Sequence, residues 1–270
     1  MAEGVLPVCI GSATRLCDTF TDATKEYEAV LLLGEETDTQ DVTGTVVRRA
    51  EKDALAALSE ESVKSCMESF IGEYDQLPPM YSAVKVGGKK LYELARAGKE
   101  VDRKSRRVRI LELRILSMEL PRVSFLVSCS KGTYIRTLCS DIGERLLVGG
   151  TLESLIRTRS GNFVREEART LSEIEGLSER GELFKVLIPV EQFFSEHRKL
   201  EISQIRKEDR ELFERLVRNG NAVPERIAGN SFSDGELVRV YEPGGRFAGV
   251  YRYSKKNSCL EAYKMFPCSD

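Results

Sequence analysis

The sequence predicts an α+β protein: a largely antiparallel sheet flanked by helices, followed by a small, mainly β C-terminal domain. Three observations carry this expectation. Two runs that alternate apolar and polar positions, Val108 to Met118 and Val123 to Cys129, are joined only by a short link around Pro121, which suits antiparallel neighbours. Leu55, Leu58, Val63, Met67 and Phe70, and later Ile135, Leu138, Ile142 and Leu146, recur at helical spacings. From about Leu200 the style changes to short strand-like runs, at Leu237 to Tyr241, Phe247 to Tyr253 and Leu260 to Phe266, with Pro243-Gly244-Gly245 as a turn.

The elements follow in order. Gly4-Val5-Leu6-Pro7-Val8-Cys9-Ile10-Gly11 reads as a buried segment with glycines at both ends, a packing feature. Glu26 to Gly34 is a short apolar run closed by glycine, as a buried strand requires. Thr37 to Gly44 is crowded with side chains that bond their own backbone and reads as a loop. Lys52 to Phe70 reads as one amphipathic helix stopped by Gly72. Pro78-Pro79 bars helix, and Gly87-Gly88 marks a tight hairpin turn before a short helix from Leu91 to Ala97, with Gly98 beyond its end. The helix that begins near Ile135 runs about three turns to Gly149-Gly150. Arg165 to Arg180 is a polar surface passage, and a helix with Leu212 and Leu216 precedes Asn219-Gly220-Asn221. No internal repeat is present.

Composition narrows the chemistry. The 270 residues suit one large domain or a large plus a small one. With 41% apolar and 31% charged residues the chain is neither disordered nor of low complexity. No run approaches the roughly 18 apolar residues of a membrane span, and the opening residues show no secretory signal, so a reducing cytoplasm is expected. Seven scattered cysteines without a C-x-x-C pair agree with that compartment. His197 is the single histidine, which leaves almost no candidates for histidine-based metal centres or for Ser-His-Asp and Cys-His catalysis. Chemistry must therefore run on carboxylates, Tyr, Lys, Arg or Cys.

The net charge of −2 hides a strong asymmetry. Between Lys85 and Arg114, eleven cations stand against four carboxylates, a net of +7 that includes Lys85, Lys89, Lys90, Arg96, Arg106 and Arg107. Near Tyr81 and Tyr92 such a patch fits a surface that follows a phosphate backbone and offers rings for stacking. An ordinary solvated face carries similar charges. Cys129-Ser130-Lys131-Gly132-Thr133-Tyr134-Ile135-Arg136-Thr137 places small residues, Lys131 and Arg136 where a strand meets a helix N-terminus, an arrangement open to an anion or to simple capping. It lacks P-loop spacing. Tyr27, alone, reads as an amphipathic rim residue.

Taken together these segments resemble the bacterial TruB family of tRNA pseudouridine synthases. Lys25-Glu26-Tyr27-Glu28-Ala29 is similar to the family's K-x-Y-x-A motif, and Gly34, Thr37-Asp38-Thr39-Gln40-Asp41 and Gly44 to its G-x-x-T-D-T-x-D-x-x-G motif. Pro78-Pro79-Met80-Tyr81-Ser82-Ala83, Lys85, Gly88 and Leu91-Tyr92-Glu93-Leu94-Ala95-Arg96 resemble its thumb-like insertion, and residues 129–137 its C-S-K-G-T-Y-I-R-T motif. The resemblance implies a pseudouridine synthase catalytic domain over 1–195, with a mixed sheet and a thumb at about 76–108, and a small RNA-binding domain of PUA-like type over 196–270. It implies a cofactor-free isomerisation of the T-loop uridine at tRNA position 55, flipped out of its stack because the reacting atoms are inaccessible within it. By the same resemblance Tyr27 stacks on the flipped base and helps remove the C5 proton. Arg136 holds the nucleophilic aspartate ionised, and Tyr134 and Leu155 line the pocket. Lys131, Tyr81, Lys85, Lys89, Lys90, Arg96, Arg106 and Arg107 contact the T-arm, and a monomer is expected.

One departure stands out. The family's G-T-L-D-P motif, whose aspartate is the nucleophile, lies directly upstream of the segment that here begins Met1-Ala2-Glu3-Gly4. Neither Glu3 nor Asp18 occupies that motif position. The expectation is a start placed at an internal Met, with one strand of the catalytic sheet also outside the sequence. Two alternatives are a non-catalytic tRNA-binding protein of the same fold and a synthase acting on another structured RNA.

Overall fold

A computed structural model describes residues 3–229 and 231–266, so Met1, Ala2 and Cys268 of the readings above lie outside the described residues. The chain divides into two compact units. The described residues of Met1–Pro7 and Thr19–Ala168 form the first, and those of Val8–Asp18 and Arg169–Asp270 the second.

The first unit contains β1 (Glu3–Gly4), β2 (Lys25–Leu33), the ribbon β3 (Glu35–Thr37) and β4 (Val46–Arg49), β5 (Gly72–Gln76), the hairpin β6 (Lys85–Val86) and β7 (Lys89–Lys90), β8 (Arg106–Glu119), β9 (Arg122–Cys129), β10 (Gly150–Ser160) and β11 (Phe163–Val164). Its helices are α1 (Lys52–Ala56), α2 (Glu60–Glu68), α3 (Leu91–Arg96) and α4 (Ile135–Arg145). The main sheet runs β1-β10-β2-β9-β8-β5, with β11 against β10. Its pairings are antiparallel except β1 with β10, so the sheet is mixed and largely antiparallel. Ala29, Leu31, Leu33, Val123, Phe125 and Val127 meet Val63 and Met67 of α2 and Ile135, Leu138, Cys139 and Ile142 of α4 in one core. This is the expected consequence of period-two strands facing period-3.6 helices.

The structure departs from the sequence reading in four places. Lys52 to Phe70 is two helices, because Ser59 accepts the backbone N–H of Ser62 while the Ser62 hydroxyl takes the Ser59 N–H, a capping box that starts α2 afresh. Gly72, at φ +111, opens the edge strand β5 after α2 has already ended. β10 escaped notice because irregularities at Leu152/Ser154 and Arg157/Arg159 break its alternation, and because it buries Thr151, whose hydroxyl lies 3.1 Å from that of Thr37. The run from Gly4 to Gly11 is buried only at Val5, while Leu6, Val8 and Ile10 are exposed. Gly4 does fill a packing role there: a Cβ would stand 2.2 Å from the Arg157 carbonyl oxygen, at φ +117.

The second unit holds α5 (Leu171–Glu179) and α6 (Arg210–Arg218), with β12 (Arg198–Leu200), β13 (Val223–Pro224), β14 (Leu237–Tyr241), β15 (Phe247–Ser254) and β16 (Cys259–Met265) in a sheet ordered β12-β14-β15-β16-β13. The three expected strands are its centre. Phe213 and Val217 of α6 join Val238, Val240, Tyr251 and Leu260 in a second core. Arg15 donates to the Met265 carbonyl at 2.8 Å, and Lys264 returns a bond to the Arg15 carbonyl at 2.8 Å, tying 8–18 to β16. Within the expected surface passage, Thr170 and Glu173 form a capping box that starts the exposed helix α5.

Candidate active site

The site starts from Tyr27. β2 sets it opposite Val127 of β9 and Arg157 of β10, and pairs Ala29 with Leu155. Alternation puts Tyr27, Ala29, Leu31 and Leu33 on the helix-covered face, and Leu155 with Arg157 on the same face. Ala29, Leu31 and Leu33 are buried in the core, whereas Tyr27, nearer the strand start, is half-buried. Burial raises the Tyr27 hydroxyl pKa and the Cys129 thiol adds to the shift, while the Arg157 guanidinium works against both. Arg157 is itself held, since its Nε donates to the Val5 carbonyl at 2.7 Å and the Val5 N–H donates to the Arg157 carbonyl at 2.9 Å. Arg157 escaped sequence reasoning because its only signal is register, which β10 hides. Lys25, two residues before Tyr27, donates to the carbonyls of Phe20 at 3.4 Å and Ala23 at 2.6 Å, so it anchors the start of the strand.

The segment 129–137 carries β9 into α4. Cys129 is opposite Lys25 and buried, and burial pushes its thiol up to about 11, which favours the protonated thiol at neutral pH. Ser130 and Arg109 exchange two bonds at 2.9 Å, and the Thr133 hydroxyl donates to the Ser130 carbonyl at 2.9 Å. Lys131 pairs with Asp22 at 2.7 Å, both exposed, so the lysine is engaged but weakly. Tyr134 is the N-cap residue of α4, and its backbone is held by the Gln76 carboxamide, which accepts from its N–H at 2.8 Å and donates to its carbonyl at 3.0 Å. Arg136, half-buried in the first turn, donates from Nη2 to the Tyr81 carbonyl at 3.0 Å.

The loop of 37–44 is scaffold. Thr37 Oγ1 donates to the Asp41 carbonyl at 2.8 Å and accepts from the Asp41 N–H, Asp41 Oδ1 takes the Thr43 N–H and hydroxyl, and Asp38 Oδ1 takes the Thr45 N–H. A Cβ at Gly44 would stand 2.2 Å from Thr39 Oγ1. Gln40 reaches out of this loop to accept from the Thr137 hydroxyl at 2.8 Å, pinning α4 from a second side.

The basic segment is uneven. Gly87 and Gly88, at φ +58 and +83, close the expected two-residue turn between Lys85-Val86 and Lys89-Lys90. Lys90 and Arg96 both lie over the Tyr92 ring, at 5.4 and 5.5 Å from its centroid. Lys85, Lys89 and Arg106 are exposed and have no carboxylate within ion-pair distance among the described residues. Arg107 is different: it stands on β8 opposite Asp75 of β5 and bonds it at 3.0 and 3.1 Å, with Glu73 at 3.4 Å. Among the described residues no group of His, Cys, Asp and Glu could hold a metal ion, and no helix is long and apolar enough to cross a membrane.

This sheet, with α2 and α4 packed on it and the β6–β7 hairpin in the same unit, is the fold of a pseudouridine synthase. The protein of a solved Cbf5-Nop10-Gar1 complex is 25% identical with a TM-score of 0.63, over 98% of this chain and 73% of that one. A chain of an H/ACA ribonucleoprotein bound to a substrate RNA containing 2'-deoxyuridine, 21% identical, superposes with a TM-score of 0.64 over 100% and 74%. Residues 1–135 match the TruB family pseudouridylate synthase (N terminal domain), and 136–195 the tRNA pseudouridylate synthase B C-terminal domain. The chain is 41% identical to tRNA pseudouridine synthase B of Clostridium tetani over 256 residues, 95% of this chain and 83% of that one. It is 45% identical to that of Lachnoclostridium phytofermentans over 277, covering 98% and 87%. The chain belongs to the TruB family of pseudouridylate synthases.

Proposed function

We propose that this chain carries the uridine-binding and RNA-gripping parts of a tRNA pseudouridine synthase that isomerises the T-loop uridine, working as a cytoplasmic monomer. The observation that carries the reading is that Tyr27, Leu155 and Arg157 share one sheet face beside β9, which faces Lys25 at Cys129 and leads into the Tyr134–Arg136 turn. A flipped base stacks on the Tyr27 ring between apolar Leu155 and Tyr134. Burial favours the neutral Tyr27 hydroxyl, which donates or accepts a hydrogen bond, and Arg157 lowers the cost of forming the phenolate that takes up the C5 proton and returns to the neutral hydroxyl. Arg136 presents its remaining N–H donors to a carboxylate. The family's attacking aspartate stands in a Gly-Thr-Leu-Asp-Pro motif that these 270 residues do not contain, so their part is to flip, hold and orient. Lys85, Lys89, Lys90, Arg96 and Arg106 of the thumb follow T-arm phosphates, with Lys131 and Tyr81 at its base, and the C-terminal unit adds sequence-tolerant RNA contacts.

The test measures binding and pseudouridine formation side by side, with the 270-residue chain and an unmodified tRNA transcript. The expected result is salt-dependent binding that a T-arm hairpin competes away, without turnover. Pseudouridine in the product would overturn the reading that these residues bind the uridine without supplying the nucleophile, and indifference to the T-arm hairpin would overturn the substrate.

A further inference from the structure

Gln76 is the last residue of an edge strand, yet it is only 1% exposed. The alternation of β5 explains why: Glu73 and Asp75 point outward to Arg107, while Tyr74 and Gln76 point inward. A buried carboxamide is costly unless it is bonded, and this one is fully used. Oε1 accepts from the Tyr134 N–H at 2.8 Å, and Nε2 donates both to the Tyr134 carbonyl at 3.0 Å and to the Tyr74 hydroxyl. The donor set fixes the orientation of the amide, since the reversed carboxamide would turn its NH2 toward the Tyr134 N–H. The partners are 58 residues apart in sequence. The same two segments are joined again, five residues after Gln76 and two after Tyr134, where Arg136 donates to the Tyr81 carbonyl. Gln76 and Tyr81 therefore bracket the Leu77-Pro78-Pro79-Met80 link, and both ends are fastened to the first turn of α4. The Tyr134 side chain makes no capping bond to that helix, so Gln76 of β5 is what holds the start of the turn that carries Tyr134 and Arg136.

We infer that Gln76 is a positioning residue, whose clamp on the Tyr134 backbone sets the base-binding pocket and couples it to the root of the thumb. The inference rests on the reading of Tyr134 and Arg136 as pocket residues given above. It predicts a separation between gripping RNA and docking the base: phosphate contacts survive loss of the clamp, and base docking does not.

The experiment uses the full 270-residue chain and a T-arm hairpin carrying 2-aminopurine beside the target uridine, whose fluorescence rises when its neighbour leaves the stack. Anisotropy reports total binding in parallel. Gln76→Leu is expected to leave total affinity within about twofold and to reduce the docking equilibrium by about tenfold or more, because it strands the Tyr134 N–H and releases the turn from β5, the Tyr134 carbonyl keeping only the Leu138 N–H. Gln76→Glu is the sharper variant. A protonated glutamic acid offers one donor and one acceptor and matches the Tyr134 carbonyl and N–H, whereas the ionised form offers acceptors only. Docking by Gln76→Glu should therefore return as pH falls from about 8 to about 5, while wild type and Gln76→Leu show no such recovery. That recovery is readable even if Gln76→Leu fails to fold. Docking that is unchanged in Gln76→Leu, or a Gln76→Glu variant that is folded and shows no recovery, overturns the inference. Tyr27→Ala separates the two levels: if it too leaves docking intact, the pocket reading fails and takes the inference with it, and if it abolishes docking while the Gln76 variants do not, the clamp alone is refuted.

Discussion

Asp141 shows how a single residue can work against the fold that holds it. It lies on α4, where burial lifts its carboxyl from 3.8 to about 6, with Glu144 adding to the shift and Arg145 opposing it. The unfolded chain loses this proton first, so between pH 3.8 and about 6 the folded state binds more protons and stability falls as pH rises through that window. Asp141→Asn should thus stabilise the protein at neutral pH by about 1–2 kcal/mol, after discounting for partial exposure. Thermal melts should show the gain shrinking to nothing below about pH 4. A gain of equal size at both pH values would show that it does not come from the charge. The neighbouring Cys139 and Tyr74 are raised by the same burial, which keeps this part of α4 uncharged apart from Asp141. Residue identity alone announces none of this, because a helix aspartate followed by Ile142-Gly143-Glu144 reads as ordinary surface.

Elements meet here through glycine. Gly143 of α4 faces the start of β10 so closely that a Cβ would stand 2.0 Å from the Gly150 nitrogen, and a Cβ on Gly150 would stand 2.5 Å from the Cys139 carbonyl oxygen. Both contacts are with backbone, which cannot swing aside as a side chain can. Gly143→Ala should force α4 off the sheet and cost about 3 kcal/mol, measurable as a lowered denaturant midpoint. Gly132→Ala is the informative contrast: nothing lies within 4 Å of its Cβ, so only its φ of +78 opposes the change, and the expected loss is about 1 kcal/mol. The sequence made the glycines at 149–150 visible as a helix stop. It did not show that Gly150 opens a buried strand, because a close approach is a property of two elements and neither one records it alone.

Across the whole molecule, charge is sorted rather than summed. In the C-terminal unit many cations are already spent on neighbours, as in Lys199 with Glu201, Arg206 with Asp209, Arg218 with Glu214 and Arg239 with Glu191. The thumb keeps Lys85, Lys89 and Arg106 unpaired among the described residues. Salt dependence of RNA binding should therefore reside chiefly in the thumb. Replacing Lys85 and Lys89 by alanine is expected to flatten the slope of log affinity against log salt by about 0.7–0.9 per charge. Arg107→Ala should leave it nearly unchanged, since Asp75 and Glu73 already hold that guanidinium. A slope indifferent to all three would return the segment to an ordinary solvated face.

What the sequence determined by itself was whatever short-range physics writes locally: the alternation of β8 and β9, the Gly87-Gly88 turn, the period of α4, the three central strands of the C-terminal sheet and the ordered motifs of the family. These depend on neighbours within a few positions, so they survive without knowledge of the partner. Tertiary structure alone decided the register that brings Arg157 to Tyr27, the capture of Arg107 by β5 and the Gln76 clamp on Tyr134. Each is a meeting of residues distant in the chain, and hydrogen bonds and ion pairs of that kind leave no periodic trace in either segment, because their geometry exists only once the sheet has closed around them.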